Sequence, residues 1–321
     1  MAGRVLLVGE ILIDFLGEGG GRLEEASAFR PQPGGAPGNA AVAAARAGAP
    51  TAFAGCVGDD AFGRLLRSTL AGGGVDVRGL RTHPRLPTTL AFVMPAVRGD
   101  LGFQFNRGAD AALAAGDLDP ALFTGVAAFG CGGVSLSAPE AREATLAGLE
   151  RAGAQGAWTL FDVNWRPALW ENKEGALPIL AAAIGRSRAV KCNETELTLV
   201  AGQDGDVVAR ARRLLAMGPQ AVVVTLGEAG ALWVTADDAL SCPGFSVPSV
   251  DAIGAGDCFS GNLLARWAQR PGRESPSREE LFEILRWCNA AAALSTTRAG
   301  AMGSMPDAHA VRAFLDDPAN R

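Results

Sequence analysis

Val5-Leu6-Leu7-Val8, closed by Gly9, is a short and continuous apolar run. Such a run has no polar face to turn toward water, which is the pattern of a strand covered on both sides in a parallel sheet. The pattern recurs at Ala127-Ala128-Phe129, Thr159-Leu160-Phe161, Ala189-Val190 and Ala221-Val222-Val223-Val224, each ending beside a polar or glycine cluster. Stretches with helical spacing separate these runs. They are Ala40 to Ala47 closed by Gly48, Pro139 to Arg151 with Ser137 as cap and Gly153 as terminator, about Val207 to Met217, Asp257 to Gln269, and Arg278 to Leu294. With right-handed crossovers, this alternation predicts an α/β fold on a doubly wound, mainly parallel sheet, with ligands at the carboxyl ends of its strands.

Two segments break the alternation, Ile11 to Arg30 and Thr88 to Arg107. In the second, Leu90 to Met94 and Leu101 to Phe105 read as antiparallel strands around the turn Arg98-Gly99-Asp100. They predict a small β lid, contributed by about 11–33 and 87–108, on a single domain spanning 1–321. Arg270 to Ser277, rich in proline and charge, reads as a long surface loop. At 321 residues, 48% hydrophobic and 20% charged, the chain can bury a large core, and disorder, collagen and coiled coil are excluded.

A net charge of −5 without a Lys/Arg block points to a small ligand rather than nucleic acid or an anionic membrane. The apolar start, Met1 to Phe15, is interrupted by Glu10 and Asp14, and no 18-residue apolar run follows. Neither a signal peptide nor a membrane span is expected, and the expected location is the cytoplasm. Six cysteines without a C-x-x-C pair read as buried thiols of a reducing compartment. Two histidines, His83 and His309, rule out a multi-histidine metal site and offer little for a Ser/His/Asp triad.

The densest chemical signal is Val250-Asp251-Ala252-Ile253-Gly254-Ala255-Gly256-Asp257, running into Cys258 to Trp267. Phe259, Leu263 and Trp267 recur at helical spacing, so glycines sit where a loop becomes a helix and backbone N–H groups are free to bind an anion. Asp257 in the first turn then has its carboxylate beside an anion site, or is simply an acidic residue favoured near a helix N-terminus. Asp251 either coordinates a cation or bonds to backbone. A second glycine cluster, Gly34-Gly35-Ala36-Pro37-Gly38-Asn39, opens the Ala40 to Ala47 helix, where Asn39 is either a ligand-binding donor and acceptor or an N-cap. Neither cluster continues as Gly-Lys-Ser/Thr, and no G-x-G-x-x-G follows the first strand, which argues against P-loop NTPases and dinucleotide enzymes.

The paired clusters Gly34-Gly35…Asn39 and Gly254-Ala255-Gly256-Asp257 resemble the two signatures of the PfkB (ribokinase-like) carbohydrate kinase family. Asp14 in Gly9 to Asp14, Asp162 to Pro167, Asn193-Glu194-Thr195-Glu196 and Thr225 to Gly230 fall in family order, so the resemblance covers Val5 to about Pro306. It implies an ATP-dependent sugar kinase in which Asp257 is the base and Gly254-Ala255-Gly256 form the anion hole. Proton removal by a carboxylate and stabilisation of equatorial oxygens by N–H groups are what a weakly nucleophilic sugar hydroxyl requires. The resemblance also implies that Asp14, Gly34, Gly35 and Asn39 bind the sugar, and that Asn193 and Glu196 organise Mg2+ and phosphate. Thr225, Gly227, Glu228, Gly230 and Asn289 would hold the nucleotide. Asp251, Ile253, Ser295, Arg298, Gly300 and Ser304 would form a K+ site, with Ala252 standing where relatives often carry a hydroxyl.

Phe105 to Asp110 and Asn164 to Trp170 are similar to segments of bacterial fructokinases, which implies transfer to the 6-hydroxyl of D-fructose. The rival substrate is 2-dehydro-3-deoxygluconate, because Arg107 and Arg166 offer forked hydrogen bonds to a sugar-acid carboxylate. Ribokinase and nucleoside kinase follow, then a catalytically silent sugar or nucleotide sensor outside the kinase class. Exposed lid strands that must bury an apolar face imply a homodimer through the lid.

Overall fold

The computed structural model describes residues 3–19, 22–94, 102–270 and 276–320. Along the chain its strands are β1 (Arg4–Val8), β2 (Leu12–Glu18), β3 (Ala28–Gly34), β4 (Thr51–Gly58), β5 (Val75–His83), β6 (Leu90–Val93), β7 (Phe103–Asn106), β8 (Val126–Gly132), β9 (Trp158–Asp162), β10 (Ala189–Asn193), β11 (Ala221–Thr225), β12 (Ala231–Val234) and β13 (Ala239–Cys242). The α-helices are α1 (Ala36–Arg46), α2 (Ala61–Gly72), α3 (Pro139–Ala154), α4 (Lys173–Ile184), α5 (Glu194–Ala201), α6 (Val207–Leu215), α7 (Ala255–Ala268), α8 (Arg278–Thr296) and α9 (Ala308–Asp316).

The main sheet has the order β13-β12-β11-β10-β9-β8-β1-β4-β5 and is parallel from β11 to β5, with β12 and β13 added antiparallel at one edge. The β1 run justifies its all-apolar composition: Val5 and Leu7 face one core and Leu6 and Val8 the other. The first core is closed by α1, α2, α7, α8 and α9, and the second by α3, α4, α5 and α6. This is the doubly wound arrangement expected from the alternation. It brings Gly9, Asp162, Asn193 and Thr225, at the carboxyl ends of β1, β9, β10 and β11, to one rim.

Some boundaries differ for local reasons. Helix α1 starts at Ala36, because Pro37 is well suited to a first turn and Gly35, at φ +97°, turns the chain into it. Asn39 is therefore inside the helix and is not its cap. Helix α3 is preceded by Ala138 with Pro139 opening it, Ser137 makes no cap bond, and the helix runs through Gly153 to end at Ala154, before Gly156 at φ +81°. Strand β4, Thr51-Ala-Phe-Ala-Gly-Cys-Val-Gly, is buried throughout but escapes a sequence reading because alanine and glycine carry little strand preference.

The lid is a second sheet of order β3-β2-β6-β7, with β6 and β7 antiparallel in the register Ala91↔Phe105 and Val93↔Phe103. The Arg98-Gly99-Asp100 turn and most of the Arg270 to Ser277 loop lie outside the described residues.

Candidate functional site

Helices α1 and α7 meet through small residues. A Cβ built on Gly261 would come within 2.3 Å of the Ala40 carbonyl oxygen and 2.7 Å of the Ala43 Cβ. One turn toward their N-termini, this close approach sets Asn39 against Asp257, and Asn39 Nδ2 donates to Asp257 Oδ2 at 2.8 Å. Gly254 precedes α7 at φ +80°, and the first intrahelical bond runs from the Cys258 N–H to the Gly254 carbonyl at 2.8 Å. The N–H groups of Ala255, Gly256 and Asp257 thus precede the helix's own bonding, with that of Ala255 turned to the Ala252 carbonyl at 3.2 Å.

Asp257 borders a cavity of about 290 Å3 roofed by the lid residues Leu12, Leu16, Val93, Phe103 and Phe105. Asp14, Gly35, Asn39, Asn164 and Arg166 also line it. Burial pushes the Asp257 carboxyl up to about 6, against the stabilising bond from Asn39. Burial pushes Asp14 up to about 7, the Asp257 charge adds to this, and Arg166 opposes it. A Cβ on Gly34 would lie 1.9 Å from Asp14 Oδ2, so glycine there is what lets the carboxylate turn inward. Two buried side-chain oxygens, Asn39 Oδ1 and Asn164 Oδ1, have no hydrogen-bond partner among the described residues. Asn164 also holds φ at +37°, a strained value for a residue with a side chain. Carboxylates and amide oxygens around one cavity suit a ligand rich in hydroxyl donors.

A second cavity of about 380 Å3 lies on the other side of the α7 N-terminus, lined by Thr225, Gly227, Glu228, Gly230 and Asn289 with Phe245 and Val247. Lys191, Asn193, Ala252 and Gly256 border both cavities. A polar pocket and a more apolar one therefore share a wall made of helix N-terminus, with the basic Lys191 on it and the Asp257 carboxylate on the side of the first cavity. That geometry suits transfer of an anionic group from one bound molecule to another.

Residues 2–308 match the pfkB family of carbohydrate kinases. The chain belongs to that family. The kinase is 39% identical to fructokinase-1 of Zea mays over 313 residues, covering 95% of this chain and 96% of that one. Its structure matches a fructokinase from Xylella fastidiosa with bound ATP at a TM-score of 0.90 and 32% identity, covering 99% of this chain and 100% of that one. A double mutant of fructokinase from Vibrio cholerae O395, bound to fructose, ADP and potassium ion, matches at 0.88 and 29% identity, covering 98% and 99%. The kinase is a phosphotransferase with an alcohol group as acceptor.

Asn193 caps α5 of the kinase reciprocally with Glu196: Asn193 Oδ1 accepts from the Glu196 N–H at 2.8 Å and Glu196 Oε2 from the Asn193 N–H at 2.9 Å. Glu196 Oε1 accepts from the Trp165 N–H at 2.9 Å, so this carboxylate ties β10 to the loop carrying Arg166. Asn289 donates to the carbonyls of Cys242 and Pro243 at 3.1 and 3.0 Å while bordering the second cavity. Asp251 accepts from the N–H of Ile253 and of Gly300, both at 2.9 Å, which joins the loop of Ile253 to the one that holds Arg298, Gly300 and Ser304, while Ser295 lies in the last turn of α8.

Arg107 is placed differently from Arg166. It does not line the cavity below the lid; its guanidinium is engaged by Asp110, the Ser137 hydroxyl and the Val134 carbonyl. Glu10 and Lys191 were assigned no role from the sequence, nor was Asn164, although it lies within a family motif. Glu10 lines the first cavity, accepts from the Ala36 N–H at 3.2 Å and the Ser135 hydroxyl at 2.8 Å, and is pushed by burial up to about 7. Lys191 is paired with Asp162. The signal for Lys191 was present, a charged residue inside an otherwise apolar strand run.

Proposed function

We propose that the kinase transfers the γ-phosphate of ATP to the 6-hydroxyl of D-fructose, with the sugar under the lid and the nucleotide in the second cavity. The observation that carries this reading is Asp257, held by Asn39 at the α7 N-terminus where the two cavities meet. The similarity to fructokinases of maize and Xylella supports the choice of sugar. In this reading Asp257 takes the hydroxyl proton as the oxygen bonds to phosphorus, and the Gly254-Ala255-Gly256 backbone meets the phosphoryl oxygens. Asp14, Asn39 and Asn164 hold sugar hydroxyls, and Phe103 and Phe105 close out water that would otherwise compete as acceptor. The whole chain acts as one domain, with the lid supplied by about 11–33 and 87–108.

Asn193, which borders both cavities, and Glu196 beside it would hold an ion shared with the nucleotide rather than a caged one. Mg2+ there would neutralise phosphate charge. A K+ ion is assigned to the loops joined by Asp251, and activity is expected to rise with potassium. The kinase works in the cytoplasm, consistent with six free and buried cysteines, and dimerises through the lid sheet, whose outer strands are β3 and β7.

A coupled ADP-release assay over fructose, 2-dehydro-3-deoxygluconate, ribose and adenosine, with and without potassium, tests the reading. Fructose is expected to give the highest kcat/KM. Turnover with the sugar acid alone would instead assign Arg166, which borders the cavity, to a carboxylate.

A further inference from the structure

Lys191 has no task in the mechanism above. It stands on β10 with its side chain 8% exposed, in a strand whose Ala189, Val190 and Cys192 are fully buried. A lysine in such a place carries a large desolvation cost, and a buried ion pair adds little net stability over two apolar side chains. Packing alone therefore does not account for it.

Its surroundings do. Lys191 Nζ donates to Asp162 Oδ2 and Oδ1 at 3.0 and 3.2 Å, and Asp162 Oδ2 also accepts from the Ser260 hydroxyl of α7 at 3.0 Å. The ammonium is thereby held against the start of α7, where a Cβ on Gly256 would lie 2.9 Å from Nζ. Glycine at 256 leaves room for the ammonium beside the N–H groups of Gly256 and Asp257, on the wall shared by both cavities. The Asp162 carboxylate in contact with Nζ gives the buried ammonium its ion partner. With three N–H donors and two carboxylate oxygens to satisfy, the ammonium keeps donor capacity for an anion.

We infer that Lys191 is a catalytic residue that binds the phosphoryl group in transit between the two cavities, with Asp162 and Ser260 as positioning residues. The inference rests on the kinase reading above. In the step, the sugar oxygen bonds to phosphorus and the bond from phosphorus to the β–γ bridging oxygen breaks, its electron pair leaving with ADP. The hydroxyl proton goes to Asp257. Lys191 keeps its protons and neutralises charge on the equatorial oxygens.

The test compares wild type, Lys191→Met and the neutral pair Lys191→Met/Asp162→Asn. The readouts are sugar-dependent ADP release, thermal midpoint, and calorimetric affinity for ADP and for ADP plus fluoroaluminate with fructose present. Lys191→Met is expected to lower kcat about 100-fold or more, as for a lost charge-stabilising donor. It should weaken the fluoroaluminate complex at least about 30-fold and ADP alone less than about 3-fold, since that complex imitates the transition state. The double variant is expected to regain the thermal midpoint without regaining kcat, and it decides the matter if the single variant does not fold. Turnover within about 5-fold of wild type in either variant, or equal weakening of both ligands, overturns the assignment. Wild type that releases no ADP with any sugar overturns the kinase reading itself, and this role with it.

Discussion

Asp14→Asn removes a charge that the folded protein holds at a cost. Burial first, and the Asp257 carboxylate second, push Asp14 from 3.8 to about 7, with Arg166 partly offsetting them. The folded state therefore binds this proton more tightly than the unfolded chain, and stability falls as pH rises from about 4 to about 7, with the whole penalty present above. At about 1.4 kcal/mol for each tenfold of proton affinity, the raised pKa of Asp14 costs about 4 kcal/mol at pH 8, where it stays ionised, and about 2 kcal/mol at pH 5, where folding takes up a proton, as upper limits for a group bordering a water-accessible cavity. The near-isosteric amide carries no such term, so the variant should be more stable than wild type, and more so at pH 8. Urea unfolding followed by tryptophan fluorescence at both values measures this. A gain at pH 8 no larger than at pH 5, or a loss at both, would refute the reasoning. Sugar affinity should fall in the same variant, because the carboxylate's unmet demand for donors is what sugar hydroxyls satisfy.

The pH dependence of kcat/KM for the sugar should fall on the acid side between about 7 and about 6 as Asp14 and Asp257 take up protons as a coupled pair; initial rates at sub-saturating sugar check this, and a flat profile down to pH 5 would contradict it. Asp257→Ala should cut kcat about 100-fold or more while ATP affinity, read by calorimetry, stays near wild type. Gly34→Ala places a Cβ 1.9 Å from Asp14 Oδ2; KM for the sugar should rise at least about 10-fold with ADP affinity unchanged, as expected for lost ground-state contacts. Arg107→Met leaves Asp110, 1% exposed, without its ion partner. The expected loss is about 3–5 kcal/mol of stability by denaturant titration with little change in sugar KM.

The parallel sheet was legible because a strand covered on both faces must be apolar throughout, and β1, β9 and β11 are short enough to stand out between polar rims. The loop-to-helix junction at Gly254 was legible because glycines mark where a loop becomes a helix, and the acid that follows them at Asp257 is a local, readable fact. Strand β4 is not legible in this way because its burial is achieved with alanine and glycine, and Lys191 is not because its meaning depends on Asp162 from another strand and on the missing Cβ at Gly256. The sequence also offered Arg107 and Arg166 as equivalents, although 107 is consumed by Asp110 and Ser137 while 166 borders the cavity. The linear order of residues determines which backbone can be extended, helical or open to an anion, since those preferences act over a few neighbours. Only folding decides which charges meet. Asn39 reaches Asp257 across 218 positions because two helices pack closely enough over Gly261, and burial in the cavity they help enclose pushes the Asp14 and Asp257 carboxyls upward.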